Sequence, residues 1–552
     1  MTTELLFVPL GGASEIGMNL NLYGFGQPGD HRWLMIDLGV SFGGGVPGVD
    51  VFMPDPAFIA GQREHLDGIL LTHAHEDHLG AVPYLWPRLR CPIWASGFTL
   101  ELLKRKLDEV PWGKEVPLNR IPDDGQCRIG AFEVEMIDVT HSIPEASAVA
   151  VRTPVGTIVH TGDWKFDPDP VVGPTSDEDA LRRFGDAGVL AIVCDSTNVF
   201  ERGTSGSEGA LLDSLTRLIA GIEGRVVVSC FATNVARLQT IATAARANGR
   251  DVVLAGRSLQ RTYAVARACG YLEDIPAFVD AEDGAYLPRD RMLIISTGGQ
   301  GEPRAALMRL ALDEHPSLQL DAGDAVVFSS RVIPGNEVPI GRLQNQLLRR
   351  GIDVLTHRDG LVHVSGHPAR GELAHMYALV RPRAAIPVHG ELRHLREHAK
   401  VARESGVQDV VVGENGSVIR LWPGPAQLVD TVPAGRLALE GKRLVPMGGS
   451  LISQRTRALY NGTALVTVTV NGGTLHSEDV QLSSIGLVDD GEEKPLIIAR
   501  NAVVAAVTAL PKKARDDDEA LRETIRLAVR RCFRQLFDKR PVTHVHLVRI
   551  ED

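Results

Sequence analysis

Three features of the sequence predict a mixed α/β protein of more than one domain. Short strands near the start lead into a turn dense in histidine, and strands and helices alternate between residues 207 and 355. A Trp422-Pro423-Gly424-Pro425 break then precedes a smaller α+β segment. At 552 residues the chain exceeds what one ordinary core organises and calls for two to four domains. Its 44% hydrophobic and 23% charged residues fit the profile of a soluble globular protein.

Residues 5–10, 19–25 and 33–38 read as strands punctuated by Gly11-Gly12 and Gln27-Pro28-Gly29-Asp30, so the chain opens as a β-meander. A buried strand ending near Leu71 then delivers an H-x-H-x-D-H run: His73, His75, Asp77 and His78. The pairs His73/His75 and Asp77/His78 can address two neighbouring points, which suits two metal ions. Imidazole and carboxylate favour Zn²⁺ or Mn²⁺, and the absence of cysteine here argues for an open catalytic site over a closed structural one. A solvated histidine-rich turn is the bland alternative, and four ligand-type side chains within six positions oppose it. Asp37, at a strand end, reads equally as an orienting partner of this turn or as a loop cap.

Residues 98–107 read as a helix with a solvated basic face. Strands at 132–139 and 156–160 end at Thr140-His141-Ser142 and Thr161-Gly162-Asp163. A lone histidine or aspartate at a strand end is usually a turn residue. Two of them in the region of the histidine turn raise a further reading, in which His141 completes one metal's ligands and Asp163 bridges both ions. His160, on the strand itself, reads as a packed side chain.

An apolar strand at 189–195 ends in Asp195-Ser196-Thr197-Asn198. Helical patterns at 209–219, 234–247, 259–268 and 338–350 then alternate with apolar strands at 226–231, 252–255, 292–296 and 325–328, which predicts parallel βαβ units. The loops at 231–234, 256–258, 296–303 and 329–337 follow strands in a way that suits a phosphate-bearing ligand. Residues 362–367 and 386–391 each read as a strand ending in histidine.

His394 and His398 lie one helical turn apart, but Leu395 stands where a zinc-binding H-E-x-x-H needs glutamate, so a solvated helix face is expected. Residues 465–470 alternate as a strand into a hairpin turn at Asn471-Gly472-Gly473. Asp516 to Asp518 start a helix with Leu521, Ile525, Val529, Cys532, Phe533 and Leu536 as one apolar stripe, opposite the solvated Arg522, Arg526, Arg530 and Arg534. His544 and His546 share one face of a final strand and are expected to pack.

The net charge of −11 lowers the expectation of a nucleic-acid partner without excluding local basic patches. Six scattered cysteines with no C-x-x-C point away from a disulfide framework and towards a reducing, cytoplasmic setting. No basic leader is apparent at the start and no run of about 18 apolar residues exists, so neither secretion nor a membrane span is expected.

The H-x-H-x-D-H run, followed by single His141 and Asp163, resembles the metallo-β-lactamase superfamily, whose fold is an αββα sandwich with metals at one edge. The Asp195 strand, the inserted α/β segment, Ser365-Gly366-His367 and Pro387-Val388-His389-Gly390-Glu391 resemble its β-CASP group of nucleic-acid hydrolases. Within that group the likeness is to the bacterial ribonuclease J family, and it runs from Gly11 almost to the C-terminus.

The resemblance, with the breaks above, implies a metallo-β-lactamase domain in two parts (1–206 and 359–425), a β-CASP α/β domain (207–358), a linker (426–440) and a small α+β C-terminal domain (441–552). It implies two divalent ions, Zn²⁺ foremost with Mn²⁺ or Mg²⁺ as alternatives. His73, His75, His141 and Asp163 would hold one, and Asp77, His78, Asp163 and His389 the other. Such paired ions make hydroxide available near neutral pH. Asp77, His367 and Asp195 are implied as catalytic, His367 acting on the scissile phosphate or leaving group and Asp195 orienting ligands or water; a buried structural aspartate is the plain alternative. Ala232, Thr233, Asn234, His363, Val364, Ser365, Gly366 and His367 are implied to hold nucleotide and 5′-monophosphate. This would permit 5′-to-3′ exonucleolytic trimming besides endonucleolytic cuts of single-stranded RNA, in rRNA processing and mRNA turnover.

The chain departs from the family's pattern at Ala236, where histidine is expected, and at Gly299, where serine is expected. A homo-oligomer (dimer or tetramer) through the C-terminal domain and an RNA-degradation assembly are implied as partners. The rival readings are a β-CASP DNA nuclease, a thioester or lactam hydrolase, and a catalytically silent RNA-processing scaffold.

Overall fold

The computed structural model describes residues 3–550 apart from 44, 334, 472–474 and 476. The chain divides into two compact units: one comprises residues up to Phe42 with Phe52–Gly435, the other Gly43–Val51 with everything from Arg436 onward.

In the larger unit two mixed sheets face each other. The first runs, in spatial order, Gln427–Thr431, Ser417–Trp422, Glu4–Gly11, Leu20–Gln27, Asp30–Ile36, Leu66–Leu70, Ile93–Ala95 and Leu118–Arg120. The second runs Gln126–Ile129, Phe132–Asp138, Ser147–Thr153, Gly156–His160, Val189–Asp195, Ala384–Val388 and Asp409–Val410. Their inner faces share one core. Phe7, Tyr23, Leu34, Ile36 and Leu70 from the first meet Val134, Val149, Val151, Ile158, Val193 and Ile386 from the second. This is the expected metallo-β-lactamase sandwich. Strand Val189–Asp195 is apolar nearly throughout and lies between parallel neighbours, as strands covered on both faces do.

The inserted β-CASP segment forms a separate five-stranded parallel sheet in the order Asp251–Ala255, Met292–Ser296, Val226–Ser229, Ala325–Phe328 and Asp353–Leu355. Helices Ala306–Ala311 and Glu337–Arg349 cover one face through Leu307, Leu310, Ile340, Leu343 and Leu347. Every strand of this sheet points its C-terminal end the same way, so the loops after 229, 255, 296 and 328 gather at one edge.

Several expectations are corrected. Residues 362–367 form a loop and not a strand, because no neighbouring strand pairs with them. Ser147–Thr153 is a strand that no alternation announced, since its residues up to Val151 are buried on both faces. The stretch expected as a linker at 426–440 is built structure. Gln427–Thr431 pairs with Ser417–Trp422, and Arg436–Glu440 forms a hairpin with Arg443–Pro446 in the smaller unit. Residues 43–51, expected within the first domain, also belong to that unit.

The smaller unit is a three-stranded sheet, Val480–Ile485, Thr463–Asn471 and Val542–Ile550, with helices Lys494–Thr508 and Asp518–Phe537 packed on one face. Asp517 caps the second helix by accepting the N–H groups of Glu519 and Ala520. Its stripe is buried as expected except at Leu536, which is exposed. On the opposite face Arg526 pairs with Glu523. His544 and His546 are exposed rather than packed. The hairpin turn expected at 471–473 lies, beyond Asn471, outside the described residues.

Candidate metal centre

The histidine turn begins where Leu66–Leu70 leaves the sheet. Asp77 and His78 sit on a short helix, Glu76–Leu79, whose backbone is pinned by Asn19, just before strand Leu20–Gln27, and by the loop that follows Asp30–Ile36. Asn19 N–H donates to the Asp77 carbonyl at 2.9 Å and Leu38 N–H to that of His78 at 2.6 Å. Gly39 lets this happen: a Cβ there would stand 1.7 Å from the Asp77 carbonyl oxygen.

Two ligand groups form around Asp163. The potential ligand atoms of His73, His75, His141 and Asp163 lie within 4.8 Å of one another, as do those of Asp77, His78, Asp163 and His389; a third such group joins Asp163 with Asp195, His367 and His389. His75 Nδ1 is 3.1 Å from both His73 Nε2 and His141 Nε2, so three imidazole lone pairs converge.

Three of the remaining ring nitrogens are fixed by partners outside these groups. His78 Nδ1–H donates to Asp37 at 2.7 Å. His73 Nδ1–H donates to the Thr72 hydroxyl, which donates to Asp37 at 2.9 Å. His141 Nδ1–H donates to the Gly366 carbonyl at 2.6 Å. Fully buried Asp37 also accepts the Thr72 N–H at 2.8 Å, so of its two readings the orienting one is realised.

Burial and the neighbouring imidazoles of His78 and His75 push His73 well below its ordinary pKa; burial with His75 and His367 does the same to His141. Burial lowers His75 to about 4 against the pull of Asp77 and Asp163. These three rings are therefore neutral, the state a metal ligand requires. At His78 and His389 burial is outweighed by carboxylates, Asp163 foremost, and both are raised well above the ordinary value. Asp163 Oδ1 is buried with no hydrogen-bond partner among the described residues. Five histidines and two carboxylates, one of them with an unpartnered buried oxygen, are a donor set that fits paired divalent ions.

Beside this cluster, His367 Nδ1–H donates to Asp195 at 2.8 Å. Burial opposes charge on His367, but Asp195 and Asp163 raise it above its ordinary value. Burial would lift Asp195, yet His367 and His389 hold it below the usual carboxylate range. Two residues not singled out in the sequence complete the wall. The Thr197 hydroxyl lies 2.7 Å from Asp195 and 3.0 Å from His389 Nδ1. Asn198 Nδ2 donates to Ser365 Oγ at 2.7 Å and to the His367 carbonyl at 3.1 Å. The polar run Asp195-Ser196-Thr197-Asn198 after an apolar strand was the available signal.

The other expected substrate residues gather less tightly. Asn234 is buried, and its side-chain oxygen accepts the Arg237 N–H as the cap of helix Val235–Ala247. Ala232 and Thr233 are half-buried in the same loop. His363 is pushed down to about 3 by burial and by Arg237, Arg331 and Lys165. Val364 is buried. At Gly299 a Cβ would lie 2.8 Å from the hydroxyls of Ser229 and Ser330, which fill the space a side chain would need.

His394 and His398, expected on a solvated face, are buried. Both nitrogens of His398 are satisfied, Nδ1 by Ser196 Oγ and Nε2 by the Tyr377 hydroxyl, each at 2.8 Å, so the ring tolerates burial.

Comparison with known proteins agrees with this architecture. Family models match in four segments: "Beta-lactamase superfamily domain" over residues 32–194, "Ribonuclease J, beta-CASP domain" over 223–347, "Zn-dependent metallo-hydrolase RNA specificity domain" over 351–412 and "Ribonuclease J C-terminal domain" over 450–550. Fold and site thus define a metallo-β-lactamase-type hydrolase carrying a β-CASP domain.

Ribonuclease J of Sinorhizobium meliloti is 44% identical over 550 residues, covering 99% of this chain and 98% of that protein. Ribonuclease J of Mycolicibacterium smegmatis is 41% identical over 472 residues, covering 84% and 83%. The chain belongs to the ribonuclease J family. A solved protein of unknown function from Enterococcus faecalis shares the fold, with a TM-score of 0.53 at 18% identity, over 76% of this chain and all of that one. Among the described residues no helix is long and apolar enough to cross a membrane.

Proposed function

We propose that this chain is a two-metal ribonuclease that hydrolyses phosphodiesters of single-stranded RNA, trimming from the 5′ end and cutting internally, in RNA maturation and decay. The observation that carries this reading is the pair of ligand groups sharing Asp163, with the hydrogen-bonded His367 and Asp195 alongside. His73, His75, His141 and Asp163 would hold one ion and Asp77, His78, Asp163 and His389 the other, Zn²⁺ being the best match to these donors. When bound, paired divalent ions supply hydroxide near neutral pH and offset charge developing on phosphoryl oxygens.

The side chains supply the rest. Asp195 fixes the His367 ring through Nδ1–H, which leaves Nε2 for the substrate. A ring raised above its ordinary pKa carries a proton near neutral pH and can give it to the departing ribose oxygen. Ser365 and the backbone at Gly366, held by Asn198, suit a phosphate of the strand. With aromatics at only 5% of the chain, phosphate and backbone contacts outweigh base stacking.

The test is digestion of one single-stranded RNA bearing 5′-monophosphate, 5′-triphosphate or 5′-hydroxyl, with a matched DNA strand, by Mn²⁺-loaded protein and a His75→Ala control. Mononucleotides released fastest from the monophosphate RNA and lost in the control are expected. Internal fragments regardless of the 5′ group would restrict the activity to endonuclease, faster DNA cutting would transfer it to DNA, and no cleavage would leave a scaffold.

A further inference from the structure

The loop at 362–367 forms no ladder with a strand, so side chains must fix it. Its end is held by Asn198 and by Asp195 through His367. Its start is held by a buried ionic network in the β-CASP domain. Arg237 is fully buried, and its Nε and Nη2 donate to the two carboxylate oxygens of Glu208 at 2.5 and 2.9 Å. Its Nη1 donates to the Ser329 hydroxyl at 2.6 Å and carbonyl at 2.9 Å, and lies 3.4 Å from the Val362 carbonyl. The Ser329 hydroxyl in turn donates to that Val362 carbonyl at 2.6 Å.

Glu208 is anchored from the opposite side. Its N–H donates to Asp167 Oδ2 at 2.9 Å, and Lys165 Nζ pairs with the same oxygen at 2.7 Å. Asp167 N–H donates to the Thr140 hydroxyl at 3.1 Å, and that hydroxyl donates to the Lys165 carbonyl at 2.6 Å. Thr140 directly precedes His141, whose ring binds the Gly366 carbonyl. The network therefore closes on itself, from the backbone next to His141 through Asp167, Glu208 and Arg237 to Val362, and back through Gly366.

A buried ion pair gains little stability over apolar groups of the same volume, so its worth lies elsewhere. The planar guanidinium directs its donors in a fixed fork, here at a carboxylate and at the Ser329 and Val362 oxygens together, which an ammonium group cannot reproduce. We propose that Arg237, paired with Glu208, is a positioning residue that sets the start of loop 362–367, so that Gly366 orients His141 and Ser365 and His367 stay in register with the ligand groups. Its RNA arm rests on the function proposed above; its metal arm does not.

The test is the double variant Arg237→Met/Glu208→Leu, which removes both charges and strands neither, beside Arg237→Lys. Zinc affinity is read by competition titration, kcat and KM on single-stranded RNA separately, and folding by circular dichroism and thermal midpoint. The folded double variant is expected to bind zinc about tenfold more weakly, to lose about tenfold or more in kcat, and to show Arg237→Lys in between. Wild-type zinc affinity together with wild-type kcat in the folded double variant overturns the proposal. If the double variant does not fold, Ser329→Ala breaks the same link without touching a charge. The same losses are expected there, and unchanged values overturn the idea. If the wild type cleaves no RNA, the proposed function fails, while the zinc titration still decides the positioning role.

Discussion

Asp163 is the residue on which both ligand groups turn. Its Oδ2 lies 3.2 Å from His78, 3.7 Å from His141 and 3.9 Å from His73, while its buried Oδ1 lies 3.4 Å from His389 Nδ1 and has no hydrogen-bond partner among the described residues. A buried oxygen without a partner is costly unless a ligand takes it. The two groups differ in what a metal must displace. His73, His75 and His141 are neutral in the metal-free protein, whereas His78 and His389 are raised and hold protons near neutral pH. Binding at the second group therefore releases protons, and its affinity climbs with pH by about tenfold per unit for each proton displaced. Zinc titration at pH 6 and pH 8 should show the weaker-held ion lost first on acidification, with a steeper pH slope than its neighbour; equal slopes would refute this asymmetry. The candidate ligands His73, His75, Asp77, His78, His141 and Asp163 were legible in the sequence, because histidines and aspartates at such spacing have few other uses, whereas His389 came only from the family resemblance. The role of Asp37 was not, since an orienting carboxylate and a loop cap are the same residue type, and only the 2.7 Å contact with His78 separates them.

Element-level misreadings share one cause: partners distant in sequence. Helix Leu392–Glu404 places His394 and His398 on the face that also carries Leu395, Ala399 and Ala402. A histidine on an apolar face reads as solvated until Ser196 and Tyr377 are found opposite it. The Val-His-Val alternation at 362–364 reads as a strand, yet a strand needs a neighbour with free ladder groups, and none pairs there. Four of the five parallel strands of the β-CASP sheet were readable because each is a nearly continuous apolar run ending in a polar loop, whereas the short, half-exposed Asp353–Leu355 was not. Burial of His398 carries its own consequence. The ring is lowered to about 4 by burial, whereas the unfolded chain titrates near its ordinary value. Its contribution to stability is complete above pH 6.5 and is lost as pH falls towards 4, because only the unfolded state takes up the proton; the slope is about 1.4 kcal/mol per pH unit. Unfolding followed at pH 7.5 and 5.5 should show wild type losing more stability than His398→Gln by about 1.4 kcal/mol in all, because the slope acts only below pH 6.5. Parallel losses would mean that His398 titrates normally in the folded protein.

At the scale of the whole chain, the smaller unit poses the question of assembly. Its helices cover one face of the three-stranded sheet, and Val466, Val468, Leu482, Val545 and Leu547 point into that core. The register places Leu465 beside both Ser483 and His544, so the opposite face carries Leu465, Ile485, Val548 and Ile550, all exposed. Sheets normally leave one face polar; here four exposed apolar side chains stand on that face among Thr467, Gln481, Ser483, His544 and His546, and such a patch marks an association surface. Strand Val542–Ile550 also ends the sheet with an open edge, which invites a further strand. The sequence could not reveal this surface: β-alternation tells two faces apart but leaves open which one helices occupy when both carry apolar residues. A second copy of the chain, as the family resemblance implied, is the occupant we expect. Ile485→Lys/Val548→Lys places two charges on the face and none in the core, and should weaken self-association by about 2–4 kcal/mol while leaving each chain able to bind two metals. Sedimentation across micromolar concentrations would read this as dimer or tetramer giving way to monomer. A wild type that sediments as a monomer throughout, or a variant that associates as before, would locate the contact elsewhere or remove it.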